Sequence, residues 1–127
     1  MNVNELNTVA TQVRRDLLRM INSAGSGHPG GSLSCTDYIV SLYFSEMNVN
    51  PEKFTMEGEN EDVFYLSNGH VCPALYSVLA RRGYYPVSEL ATLRKFGSRL
   101  QGHPSMSHGL PGIRMASRAP SSERLLR

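Results

Sequence analysis

The stretch that decides the fold is Asp62-Val63-Phe64-Tyr65-Leu66-Ser67-Asn68-Gly69-His70, followed at once by Val71-Cys72-Pro73-Ala74-Leu75. Val63–Leu66 is short, aromatic and β-branched, apolar on both faces, and bounded by Asp62 and by Asn68-Gly69, which predicts a strand. A strand apolar on both sides suits a parallel sheet covered by helices. The residues after it read as a helix. Pro73 fits the first turn, Leu75, Val78 and Leu79 form an apolar face, and Gly83 closes it after Arg81-Arg82. A strand running into a helix is the unit of an α/β fold. His70 sits at the turn between them, where open α/β sheets bind ligands and where a helix start favours anions.

Upstream, Leu6, Val9, Val13, Leu17, Met20 and Ile21 recur at spacings of three and four, the signature of an amphipathic helix. Asn4 is the expected N-cap and Gly25-Ser26-Gly27 the stop. Gly25 to Ser34 holds four glycines and a proline in ten residues and reads as loop. Ser34-x-x-Asp37 resembles a capping signal for a second helix through Tyr38, Ile39, Leu42, Tyr43 and Phe44, ending near Met47. From Asn50-Pro51 to Asp62 the chain is polar and acidic, and a surface loop is expected. Downstream, Ser88 is expected to cap a shorter helix carrying Leu90 and Leu93, and Phe96 to Gly112 reads as loop. One strand among four helices is an incomplete architecture, so the sequence reads as the opening of an α/β domain.

The bulk numbers fit one modest soluble domain: 127 residues, 40% hydrophobic and 19% charged. The formal charge of +2 resides in the last ten residues, where Arg118, Arg124 and Arg127 oppose Glu123; the preceding 117 residues balance ten basic against ten acidic side chains. Such a neutral body lacks the basic face that nucleic acid calls for. No apolar run approaches the roughly 20 residues of a membrane span. The N-terminus lacks the pattern of a signal peptide, and a cytoplasmic location is expected. Cys35 and Cys72 lack metal-type spacing and are expected to be buried small residues rather than a disulfide.

Three of the four histidines share one local pattern: Gly27-His28-Pro29, Gly69-His70-Val71 and Gly102-His103-Pro104. Glycine admits close approach of a ligand, proline fixes the next turn, and imidazole moves a proton near neutrality. Rings converging in one crevice would suit a polar, phosphate-bearing ligand. Gly25-x-Gly27-x-x-Gly30 mimics a dinucleotide fingerprint but follows a helix rather than a strand, so that reading is rejected. A zinc site on the three histidines, as in a hydrolase, is a weaker alternative, since no His-x-His or His-x-x-x-His pair anchors it. His108 lacks the pattern and is assigned no role.

Ser26-Gly-His28-Pro-Gly-Gly-Ser-Leu33, Asp62-Val-Phe-Tyr-Leu-Ser-Asn-Gly-His70, Gln101-Gly-His103-Pro104 and Gly109-Leu-Pro-Gly112-Ile stand in order with natural spacing. Together they resemble the blocks of transketolase, and more narrowly the N-terminal section of the split bacterial type. The resemblance runs from about Asn2 to Ser117. It implies the N-terminal portion of a thiamine-diphosphate-binding domain, a doubly wound, mostly parallel sheet with helices on both faces. It also implies transfer of a two-carbon ketol unit between ketose and aldose phosphates in the pentose phosphate pathway. Thiamine diphosphate with Mg2+ (or Ca2+) would be the cofactors, and a C-terminal subunit carrying the activating glutamate would be the partner in a dimeric assembly.

Carried over residue by residue, His28 matches a catalytic histidine that contacts donor substrate. His70 matches the one beside the cofactor diphosphate, next to Gly69. His103 matches a catalytic histidine that approaches the thiazolium and the substrate hydroxyls. Ser26, Gly27, Asn68 and Gly69 shape these loops. The sister branch, 1-deoxyxylulose-5-phosphate synthase, shares some blocks but fits the Ser-Gly-His-Pro-Gly-Gly and Gln-Gly-His-Pro segments less well.

After Met115-Ala116-Ser117 the resemblance stops. The family's glycine-rich block and its metal-binding motif do not appear, and Arg118–Arg127 is a basic tail of different composition. The expectation is a domain portion at 1–117 and a non-matching tail at 118–127 produced by a frameshift, the tail leaving the chain truncated. With little sheet to cover, the isolated chain is expected to fold poorly or associate, to bind thiamine diphosphate weakly and to be inactive alone. The alternative is a remnant or interaction module that pairs with intact transketolase chains.

Overall fold

The computed structural model describes residues 1–105 and 109–115. His108 and the proposed boundary at 117/118 lie outside the described residues. Three α-helices carry the fold: α1 (Val3–Ala24), α2 (Pro29–Ser41) and α3 (Cys72–Arg82). Each packs against the other two. α2 runs on into a π-helical turn, Leu42–Glu46, and short 3-10 turns occur at Pro51–Lys53, Gly69–Val71 and Val87–Thr92.

The periodicity of α1 operates as read. Val13, Leu17 and Met20 are buried with Ala10, while Leu6, Val9 and Ile21 pack at the margin of the core. Its cap lies two residues earlier than expected. Asn2, not Asn4, accepts from the Glu5 amide at 2.8 Å, and the Glu5 carboxylate accepts from the Asn2 amide, a reciprocal capping box.

The second helix corrects the sequence reading further. It begins at Pro29, not Ser34, because proline's fixed φ suits a first turn and its missing N–H is not needed there. The supposed capping pair is therefore helix interior. Ser32 and Thr36 are fully buried, with the Thr36 hydroxyl donating to the Ser32 carbonyl at 2.8 Å.

α3 is the most buried element, closed by Gly83 as expected. Its tie to α1 is polar. Asp16 on α1, 5% exposed, accepts from Arg81 Nε and Nη2 at 2.8 Å each, from Ser77 Oγ at 2.9 Å and from Gln12 Nε2 at 3.0 Å. Burial pushes the Asp16 carboxyl up, but these bonds outweigh it and hold the group below the ordinary carboxylate value. Both cysteines are buried and free.

The expected strand is not formed among the described residues. Val63–Leu66 lies outside any helix or ladder, since a strand needs a hydrogen-bonded neighbour and no described segment supplies one. Phe64 and Leu66 turn toward the core, leaving Val63 and Tyr65 exposed. The described helices cover one another around a shared core, and among the described residues no buried side-chain polar atom is unpaired. Val87–Thr92, which contains Ser88, is a 3-10 turn capped by no side chain, rather than a helix started by that serine.

The acidic stretch from Asn50 to Asp62 is more than a surface loop. Arg114 donates to the Thr55 carbonyl at 2.9 Å and to Glu61 at 3.1 Å, and lies 4.5 Å above the Phe54 ring. Leu110 and Ile113 bury themselves just before it. The Gly109–Ile113 block is thereby stapled to the rest of the domain.

Candidate functional site

The three Gly-His loops reach one end of the helical core by different routes. His28 is the residue just before α2, and His70 lies in the 3-10 turn that leads into α3. What joins these two starts is the Val71 side chain lying against the backbone of α2. A Cβ on Gly31 would lie 2.8 Å from Val71 Cγ1, so only glycine lets the first turn of α2 come this near. Beside it the Ser32 hydroxyl donates to the Val71 carbonyl at 3.3 Å. The His28 and His70 rings consequently meet edge to face, with centroids 5.5 Å apart.

His103 arrives from the segment after the last 3-10 turn. Its ring rests on the backbone of Gly69, where a Cβ would come within 2.7 Å of His103 Cδ2. Gly69 is buried, yet all three imidazoles are exposed. The His103 ring thus rests on Gly69, and the His28 ring meets that of His70, the next residue along. Pro104, which follows His103, is buried and also borders Gly69, its Cδ 3.4 Å from the same Cβ position.

The Gln101–Gly102 backbone is held from below by α3. Tyr76 Oη donates to the Gln101 carbonyl at 2.7 Å, and the Cys72 thiol lies 3.1 Å from the Gly102 carbonyl. Burial pushes the Cys72 thiol up to about 12 and the Tyr76 phenol far above its usual range. Both therefore stay protonated donors at neutral pH. Neither residue stands out in the sequence as part of a site; Cys72 is expected there only as a buried small residue, and Tyr76 is assigned no role.

The zinc alternative finds no support in the donor geometry. Among the described residues no group of three His, Cys, Asp or Glu side chains is placed to hold a metal ion. Two cavities lie away from the histidines. One of about 440 Å³ is lined by Gln12, Arg15, Phe44 and Arg81 among others, and one of about 300 Å³ runs between α1 and the Val87–Thr92 turn. We take the histidine loops as the site because two of the rings touch and the third rests on the residue beside them, which cavity size alone does not provide.

Residues 6–118 match the family described as transketolase, thiamine diphosphate binding domain. The chain belongs to this family. It is 37% identical over 113 residues to one subunit of the apulose-4-phosphate transketolase of Phocaeicola vulgatus, covering 89% of this chain and 39% of the relative. It is 38% identical over 102 residues to the 6-deoxy-6-sulfo-D-fructose transketolase subunit of a Clostridium species, covering 80% of this chain and 36% of that relative. Among solved structures, the transketolase of Leishmania mexicana superposes with a TM-score of 0.81 at 28% identity, over 91% of this chain and 17% of that one. The chain thus spans about two fifths of the length of the first of these relatives. As a member of the transketolase family it has the sequence of a thiamine-diphosphate-binding domain, and its three Gly-His blocks fall inside the matched residues.

The residues present fit such a cofactor. A phosphate-bearing ligand needs donors that can carry charge and a backbone it can approach closely. The exposed imidazoles of His28, His70 and His103, with the bare backbone of Gly69 beside His70, provide both. No helix of the described residues is long and apolar enough to cross a membrane.

Proposed function

We propose that this chain provides the N-terminal part of a transketolase that moves a two-carbon ketol unit between ketose and aldose phosphates, in the pentose phosphate pathway of the cytoplasm. The observation that carries this reading is the pairing of His28 with His70 and the seating of His103 on Gly69, the residue before His70. In it His70, with Gly69 beside it, faces the cofactor diphosphate. His103 serves both thiamine diphosphate and the substrate hydroxyls, and His28 contacts the donor sugar. When bound, the cofactor supplies the electron sink that the ketol transfer requires. The imidazoles supply what a backbone cannot: proton donation and acceptance at the substrate oxygens at neutral pH.

The described residues offer no donor set for Mg2+ or Ca2+, and we place the metal's ligands outside them. We likewise place the remaining strands of a doubly wound sheet outside them, with Val63–Leu66 as the strand they would complete. The apulose-4-phosphate relative is named as one subunit of its enzyme; by analogy, a C-terminal subunit would complete the site here, in a dimeric assembly.

The test is association of the purified chain with the C-terminal subunit of a split transketolase, followed by sedimentation with and without thiamine diphosphate and magnesium. Association strengthened by the cofactor and weakened in His70→Ala supports the enzyme-part reading. Association indifferent to both would mark a pairing module instead.

A further inference from the structure

His103 lies on a segment without regular secondary structure, yet its ring rests against Gly69. A loop histidine is ordinarily free to swing, so something must fix the backbone that carries it. The fixing groups stand four residues apart on α3, and positions i and i+4 share one helix face. We propose that Cys72 and Tyr76 are positioning residues for His103, a pair of donors that pins the two carbonyls preceding it.

The geometry is specific. Tyr76 Oη donates to the Gln101 carbonyl at 2.7 Å; Cys72 Sγ lies 3.1 Å from the Gly102 carbonyl and 3.5 Å from that of Gln101. Both side chains are almost fully buried, so water does not compete for these bonds. Tyr76 is itself held, because its own carbonyl accepts from the Tyr85 hydroxyl at 2.7 Å. On the far side the segment is braced by the Arg94 amide, which donates to the Leu100 carbonyl at 2.7 Å, and by Gln101 Nε2, which donates to the Ser98 carbonyl at 2.7 Å. Two successive carbonyls held from one helix fix both the height and the rotation of the peptide that carries His103. The thiol matters here as a donor rather than as a nucleophile, consistent with burial having raised it to about 12.

This inference rests on the assignment of His103 to the cofactor site, but its test does not. The His103 Hδ2 to Gly69 Hα Overhauser effect is measured in the wild-type chain, Tyr76→Phe, Cys72→Ala and Cys72→Ser, without any ligand. Tyr76→Phe and Cys72→Ala should each weaken this effect by half or more while the core cross-peaks of Val13, Leu17 and Ile39 stay in place. Cys72→Ser keeps a donor of similar size and should retain it. A role confined to core packing predicts instead that Ser, being more polar in a buried site, does worse than Ala. An unchanged effect in both Tyr76→Phe and Cys72→Ala overturns the proposal.

Should those variants fail to fold, the wild-type thiol gives a second reading. In a Cys35→Ala background, the Cys72 S–H stretch should lie below that of an unbonded thiol, and an unshifted band overturns the proposal. Thiamine diphosphate is then titrated into the same samples. Loss of the Overhauser effect with unchanged cofactor affinity would retain the clamp and refute the assignment of His103 to the cofactor site.

Discussion

Replacing Asp16 by Asn tests the join between α1, which leads into the His28 loop, and α3, which follows the His70 turn. The carboxylate accepts four hydrogen bonds, two of them from the Arg81 guanidinium. An amide of the same shape has one acceptor oxygen. Left toward Arg81 Nε and Ser77, that oxygen keeps two bonds, while its NH2 group confronts Arg81 Nη2, donor against donor. Removing one partner of a buried pair costs roughly 3–5 kcal/mol. The Arg81 side chain is 31% exposed, however, and regains part of its hydration. The expected loss is therefore about 2 kcal/mol, the scale of one charge-assisted hydrogen bond with its unpaired remainder. For a chain of this size that lowers the thermal midpoint by roughly 8 °C.

The pH dependence follows from the direction of the Asp16 shift. Its folded value lies below the unfolded one, so its contribution is complete above the unfolded carboxylate value of about 4 and is lost as pH falls through the lower, folded value. The gap between wild type and Asp16→Asn should be constant near neutrality and narrow below about pH 4. Thermal melts followed by circular dichroism from pH 7 down to pH 3 measure it. A variant melting within about 2 °C of wild type at pH 7, on the same scale, would refute the view that this ion pair locks the two helices.

Gly69→Ala should cost only about 1 kcal/mol, since the exposed His103 ring can rotate off its rotamer to admit the new methyl. Nitrogen-15 spectra should nevertheless show the His103 imidazole displaced, because the added Cβ occupies its place. Arg114→Lys loses the planar contact with Phe54 and the bond to the Thr55 carbonyl, leaving Glu61 with a point charge. Urea denaturation should register about 1–2 kcal/mol. Adding a strong chelator should leave the melting midpoint of the isolated chain unchanged, and a drop would revive a structural metal.

Much of the helical frame was legible in the sequence. The spacing of Val13, Leu17 and Met20, and the proline and glycine that bracket α3, translate directly into elements. The glycines beside the histidines mark places where another side chain rests on the backbone, as His103 does on Gly69. What escaped reading depends on partners distant in the chain. Pro29-Gly30-Gly31 looks like loop until Gly31 is seen packed on Val71, which makes a helix start of it. Val63–Leu66 has strand chemistry, but strand formation is a property of a pair. Cys72, Tyr76 and Arg114 bond to residues 25 or more positions away, and no local pattern announces such contacts.

The central claim is that the three Gly-His loops form one cofactor-facing site. Titrating thiamine diphosphate with magnesium into the chain carrying nitrogen-15 histidine tests it most directly. Even at weak affinity, the imidazole resonances of His70 and His103 should move together along one binding curve, with His28 following less and His108 remaining still. Imidazoles that do not move at saturating cofactor, or a His108 shift larger than theirs, would contradict the account.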